Sequence, residues 1–313
     1  MKQLNYIFKR ILQMIPVLLV VTVVIFWGIR LIPGNPALTV LGEKAPKSAI
    51  VAMEKKMGLD QPVWKQYLIY LNNLLHLDFG TSIRLKKPVI DLFRQRSAVT
   101  ITYTIMCTAL TLLIGIPTGY IAGMTKKKAL SKGITSLALI IFSLPEFWFA
   151  ILLLFFFGLQ LGWVPVGGWG NTWPEHIHSM LLPAFTGAIG SVGLLIRNIQ
   201  SGVHKILARD YVDFAHSKGL KKSVIRSRYV LKNVMVSTLT LISMRITSML
   251  GGSVIIETVF ALPGLGSMLV NAINGRDYIL VQGTVLLFAV VVLFITLITD
   301  ICYSLVDPRV KLQ

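Results

Sequence analysis

Apolar residues run along this chain in long stretches that charge rarely interrupts. Six stretches reach the length of about 20 residues that an α-helix needs to cross a bilayer. They are residues 11–32, 98–124, 134–162, 180–196, 234–256 and 278–306. The pattern predicts an all-α polytopic membrane protein with six transmembrane helices and both termini on one side. The first run is too long for a signal-peptide core and lacks a small-x-small cleavage site, so it reads as an uncleaved anchor.

Between the first and second runs lies a mixed segment, 33–97, in which shorter elements alternate. Pro33-Gly34-Asn35-Pro36 stops the first helix. A short helix from Lys47 to Met57 is closed by Gly58, and Pro62 opens another that runs to His76, because proline suits a first helical turn and glycine a helix exit. Val63, Trp64, Tyr67, Leu68, Leu71, Leu74 and Leu75 share one stripe of that second helix. The stripe suits a helix lying on the membrane or the bundle, with a ligand-recognition surface as the other reading.

Composition agrees with the span count. Of 313 residues, 54% are hydrophobic and 14% charged, too apolar for a soluble domain of this size. The formal net charge is +18, which in a soluble protein would raise nucleic-acid binding. Here the placement of the charge gives it another meaning. Eighteen Lys and Arg fall on the amino-terminal side of the runs, nine of them between Arg197 and Lys232. The opposite side has only Arg276 in its two short connections, and the ten in 33–97 count for little because long translocated segments escape the bias. Both termini are therefore expected in the cytoplasm, 33–97 outside it, and no nucleic-acid partner is expected. Cys107 and Cys302 both lie in apolar runs and suggest no disulfide framework.

Catalytic chemistry is hard to find. The chain has no G-x-x-x-x-G-K-[ST] loop, no H-E-x-x-H and no G-x-S-x-G. Gly115, Gly119 and Gly123, and likewise Gly187, Gly190 and Gly193, lie within apolar runs at spacings that suit close helix packing. His176 and His178 are expected in a loop after Trp173-Pro174, where two imidazoles without a third ligand make a weak metal site. Charge inside the runs is confined to Glu146, Arg245 and Asp300, with Arg30 near one end. Counted along straight helices at about 1.5 Å per residue, Glu146 and Arg245 both come near mid-bilayer. They are expected to pair or to line a translocation path together, since an isolated charge there is costly.

The most informative stretch is 197–233, between the fourth and fifth runs. Ile206, Leu207, Tyr211, Phe214 and Ala215 can share one helical face, with Asp210 and Asp213 pointing elsewhere. Gly219 then breaks the helix before a second, basic one. This helix–corner–helix resembles the EAA loop (E-A-A-x3-G-x9-I-x-L-P) of permease subunits of binding-protein-dependent ABC importers. Asp213, Phe214 and Ala215 take the E-A-A places, Gly219 the glycine, and Tyr229, Leu231 and Lys232 the I, L and P places. The form with Asp210-Tyr211, Lys218-Gly219-Leu220 and Leu231 before Asn233 is similar to the dipeptide, oligopeptide and nickel branch. So are Arg30 to Pro36, Gly58-Leu59-Asp60-Gln61-Pro62, Asp78-Phe79-Gly80-Thr81-Ser82, Glu257 with Phe260, Pro263-Gly264-Leu265-Gly266, Arg276-Asp277-Tyr278 and Asp307-Pro308-Arg309.

The resemblance implies one permease domain over 1–313 in a bacterial inner membrane. It also implies a second homologous permease subunit, two cytoplasmic ATPase subunits carrying ATP and Mg, an extracytoplasmic solute-binding protein, and no cofactor on this chain. Asp213, Ala215, Gly219 and Leu231 become the residues that couple to the ATPases, and the cargo becomes a peptide, nickel or a metal chelate. Two rival classes are a secondary transporter, which would need inverted repeats, and a membrane-embedded enzyme, which would need a convergent acid, base or metal set.

Overall fold

The computed structural model describes residues 2–31, 36–42, 44–56 and 58–306. The expected stop at Pro33-Gly34-Asn35 and the Asp307-Pro308-Arg309 landmark lie outside these residues. Among the described residues thirteen α-helices follow one another: α1 (Lys2–Arg30), α2 (Pro36–Leu41), α3 (Lys47–Lys56), α4 (Val63–Leu75), α5 (Val89–Met124), α6 (Lys128–Ser143), α7 (Glu146–Leu153), α8 (Trp173–Leu207), α9 (Asp210–Ser217), α10 (Lys222–Val224), α11 (Lys232–Val259), α12 (Leu265–Asn274) and α13 (Tyr278–Val306). Two π-helical turns, Leu154–Gln160 and Ile225–Leu231, extend α7 and join α10 to α11. Among the described residues the only β-type pairing is a bridge between Thr81 and Pro88.

Four helices, α1, α5, α8 and α13, are each long and apolar enough to cross a membrane. Six crossings result only if two bent pairs each count as one span. The expected third span, 134–162, is one of these pairs. Leu144-Pro145 breaks it, and the two halves diverge by 95°. Proline removes a backbone donor and pushes the residue before it out of the helical region, so the break falls where the chemistry demands it. Glu146 is thus the first residue of a new helix, and counting its depth along a straight span does not hold. The fifth span bends by 52° between Met249 and Ser253. The fourth is longer than expected, since α8 starts at Trp173 and ends at Leu207.

The chain divides into two compact units, the first being Met1–Ala98 with Gly264–Phe294. There α1 buries Thr22 and Phe26 against α4, with the Phe26 ring 5.1 Å from Tyr67 and 5.9 Å from Tyr70. The Arg30 guanidinium lies 3.4 Å over Phe26 and donates to the Gln66 side chain. Most of the α4 stripe remains exposed, including Trp64, Leu68 and Leu75. Val89, Leu92 and Phe93 of α5 pack with Leu265, Met268 and Ala272 of α12 and Leu280 of α13.

The second unit is Val99–Pro263 with Ile295–Gln313, and α8 is the helix its other members pack around. The glycine spacing on α5 works here as expected. A Cβ at Gly115, Gly119 or Gly123 would run into Leu195, the Ile196 backbone or Val203 of α8. On α8 itself, a Cβ at Gly187 would strike the Tyr103 phenol and one at Gly193 the Ala138 carbonyl, whereas Gly190 faces open space. Ser131 closes the α6 contact, donating to Ala122 O at 2.7 Å and accepting from Gln200 Nε2 at 2.7 Å.

Candidate functional site

Helix α9 and the turn after it form a compact knob. Lys218 caps α9, Gly219 takes a left-handed φ of +72°, and two bonds close the exit: Gly219 N–H to His216 O (2.9 Å) and Leu220 N–H to Ala215 O (3.2 Å). This is the Schellman arrangement, and it satisfies carbonyls that the helix end would otherwise leave open. Among the described residues, no atom beyond the adjoining two residues lies within 4 Å of where a Gly219 side chain would begin. The requirement for glycine is therefore conformational rather than spatial.

The knob's buried face keeps Ile206, Leu207 and Ala215 of the expected one but not its two aromatic residues. Val212 and Ala215 point inward, packing with Ile225, Ile206, Leu207 and Tyr229. Tyr211 and Phe214 instead stand exposed, Phe214 at 61%. The reason is register: Val212 and Ala215 are three apart on α9, and turning that pair toward Ile206 and Leu207 turns Tyr211 and Phe214 out. Lys218 Nζ sits 4.7 Å from the centre of the Phe214 ring. Asp213 is exposed beside Phe214, and Leu231 is half-buried at the end of the π-helical turn.

The knob is tied to both long helices beside it. Ile206 and Leu207 belong to the last turn of α8, and the π-helical turn Ile225–Leu231 runs directly into α11. Val230 and Val234 pack with Leu195, Ile199 and Val203 of α8. The Tyr120 hydroxyl donates to Arg226 O at 3.2 Å, adding a link to α5. The buried face of α9 thus packs onto the end of α8 and onto the turn that leads into α11.

A second cluster forms where α7 starts. Arg245 Nη2 lies 3.7 Å from Glu146 Oε1 and 3.4 Å from Gly187 O. The two side chains are 34% and 27% exposed, and Arg245 Nε is buried without a hydrogen-bond partner among the described residues. This is a loose ion pair rather than a charge-assisted hydrogen bond of ordinary length. Glu146 reaches Arg245 from the first turn of α7, just after the helix break at Pro145, and not from the middle of a straight span.

His176 and His178 lie in the first turns of α8, not in a loop. His176 stacks on Trp169 with centroids 4.2 Å apart, and its Nδ1 is 2.8 Å from Trp169 O. His178 Nε2 is 2.8 Å from Trp163 O. Both imidazoles are engaged with backbone carbonyls, and among the described residues no group of three metal-ligating side chains forms.

Two carboxylates that the sequence marked only as landmarks are fully enclosed. Glu257 accepts from the Thr100 hydroxyl at 2.8 Å. Asp277 accepts from the Ser82 hydroxyl at 2.5 Å and from the Ile83, Arg84 and Leu280 N–H groups at 3.2 Å. The second set joins Asp78-Phe79-Gly80-Thr81-Ser82 to Arg276-Asp277-Tyr278, motifs nearly 200 residues apart.

Comparison with known proteins gives the same frame. Residues 115–312 match the family "Binding-protein-dependent transport system inner membrane component", and residues 3–104 match its N-terminal region family. A Brucella abortus protein named as a peptide transport system permease is 37% identical over 308 residues, covering 97% of this chain and 98% of that one. The dipeptide transport system permease protein of Alkalihalophilus pseudofirmus is 33% identical, covering 98% and 99%. The oligopeptide transport system permease protein of Bacillus subtilis is 34% identical with the same coverage. Among solved structures, an inward-facing methionine ABC transporter superposes with a TM-score of 0.57 at 15% identity, over 69% of this chain and 96% of that one.

Proposed function

The chain belongs to the family of inner-membrane components of binding-protein-dependent transport systems, and on that premise we propose that it forms half of the translocation path of an ATP-driven peptide importer. It is a transport component without a catalytic domain of its own. In this reading a second, homologous permease supplies the other half, and two cytoplasmic ATPase subunits carry ATP and Mg. A solute-binding protein delivers cargo from outside. Both termini and 197–233 face the cytoplasm, and 33–97 faces out, following the charge bias. Relatives named for peptide, dipeptide, oligopeptide and glutathione transport favour a peptide cargo over nickel.

The observation that carries the mechanism is the knob. Its exposed Phe214, Tyr211 and Asp213 offer an aromatic, charge-edged surface for the groove of an ATPase subunit. Ala215 keeps the inner face thin enough to seat on Ile206 and Leu207, Gly219 sets the corner, and Leu231 leads into α11. When the ATPases close, the docked knob moves as one body and drags the ends of α8 and α11. The bundle then needs only two packings that the ATPases bind unequally. Glu146 at the broken third span faces Arg245 of α11, and a loose pair there can open and close as the helices rock.

Co-purification and transport assays test this reading. The tagged chain should bring down two ATPase subunits and a second permease, and uptake of a labelled dipeptide should require ATP and the binding protein. Gly219→Leu, in a conformation that costs a side chain on the order of 1 kcal/mol or more, should leave the complex inserted but abolish the ATPase stimulation produced by loaded binding protein. Wild-type stimulation in that variant, or uptake driven by an ion gradient without ATPases, would overturn the proposal.

A further inference from the structure

The first unit contains a half-open cavity of about 740 Å³, within the range of small-ligand sites. Its walls come from the last two turns of α1, from α3 and α4 with Gly58 and Leu59 between them, from 78–86 and from the first two turns of α13. Most of the lining surface is apolar, but three of the polar side chains in it share one property. The Tyr70 hydroxyl, the Tyr278 hydroxyl and Gln282 Nε2 are buried in this wall, and none has a hydrogen-bond partner among the described residues. Tyr278 as a whole is more than nine-tenths buried. The Gln282 amide is close enough to influence the Tyr70 phenol without completing a bond of ordinary geometry.

All three groups can donate, and the amide nitrogen can only donate. Burial pushes the Tyr70 phenol up to about 12, so it keeps its proton at any physiological pH. Unmatched buried donors are costly, and the adjoining cavity is the space from which an acceptor can reach them. Charge adds a second constraint. Arg30 and Lys86 lie on the lining opposed by one carboxylate, Asp78, which accepts from Gly80 N–H. One positive charge is left over. The third constraint is position: the cavity sits where α1 ends and α13 begins, and both helices are long and apolar enough to cross a membrane. That is the depth of the headgroup region whichever way the chain is oriented.

We propose that this cavity holds one anionic glycerophospholipid. Its phosphodiester, with a single negative charge, meets Arg30 and Lys86. Its phosphate and ester oxygens, which only accept, satisfy Tyr70, Tyr278 and Gln282, and the upper parts of its chains lie on the apolar wall with Phe26. A peptide fits less well because it brings donors of its own, and free phosphate leaves the apolar wall uncovered. The site depends on the chain spanning a membrane and not on which cargo it carries.

The test uses the complete transporter, purified and delipidated in detergent, and native mass spectrometry with dioctanoyl phosphatidylglycerol. Dioctanoyl phosphatidylcholine, inorganic phosphate and a tripeptide are the comparison probes. The expected result is one phosphatidylglycerol per copy of this chain, bound in preference to all three. Lys86→Gln should weaken binding about fivefold. Tyr278→Phe should weaken it about three- to tenfold while leaving the melting temperature of the lipid-free complex unchanged or raised, because it deletes an unmatched hydroxyl. Equal retention of phosphatidylcholine, equal binding of inorganic phosphate, displacement by the tripeptide, or undiminished binding in both variants would each overturn the proposal.

Discussion

Asp277 and Glu146 are both carboxylates in a mostly apolar protein, and they are held in opposite ways. Asp277 is buried and takes four donors, one hydroxyl and three backbone N–H groups, all from within its own compact unit. Glu146 keeps about a quarter of its side chain exposed and has one cation 3.7 Å away. A saturated carboxylate fixes the loop around it, because any movement strands several donors at once. An ion pair of that length and exposure loses little when it parts. The comparison indicates where the molecule is built to stay still and where it can move.

Removing the saturated carboxylate is the most severe way to break this contrast. Asp277→Ala leaves the Ser82 hydroxyl and three N–H groups facing a gap, and it should destabilise the first unit by about 3 kcal/mol or more. Thermal unfolding of the purified complex should register it as a large drop or a failure to assemble. Ser82→Ala tests the same node more gently. Asp277 then keeps its three backbone donors, and the loss should be about 1 to 2 kcal/mol.

At the loose pair, Glu146→Gln and Arg245→Gln should each reduce stability or transport modestly, with a coupling energy of about 0.5 to 1 kcal/mol in the double-mutant cycle. Strictly additive losses would mean the two charges do not act on each other. Salt gives the finest discrimination. Raising ionic strength from about 0.1 to 1 M shortens the screening length from about 10 to 3 Å. That should shrink the Glu146–Arg245 coupling and leave the cost of Ser82→Ala unchanged.

The expected knob illustrates how far sequence pattern reaches. Its helix, glycine corner and second helix were legible because helix exits and glycine conformations are local chemistry, governed by a few adjacent residues. The face it buries was not. Tyr211 and Phe214 are the larger apolar groups on α9, and apolarity alone placed them inside. Ala215 does turn inward with Ile206 and Leu207, but the residue that joins it is Val212, three positions before it on α9. Similarly, the α5 glycines announced a close helix contact by their spacing, yet nothing in the chain named α8 as the partner.

The long apolar stretches, the acidic and basic landmarks and the family pattern are written in residue order, since hydropathy and short motifs depend on neighbours along the chain. The sequence alone therefore determined that this is a polytopic helical permease with a knob between α8 and α11. The tertiary structure decided everything that depends on distant residues meeting. It set the 95° angle between the two halves of the third span and the 3.7 Å distance between Glu146 and Arg245. It also joined Ser82 to Asp277 and set Tyr70, Tyr278 and Gln282 around one cavity. Such meetings follow from packing whole helices at once, and packing is a property of the assembled volume that no window of sequence contains.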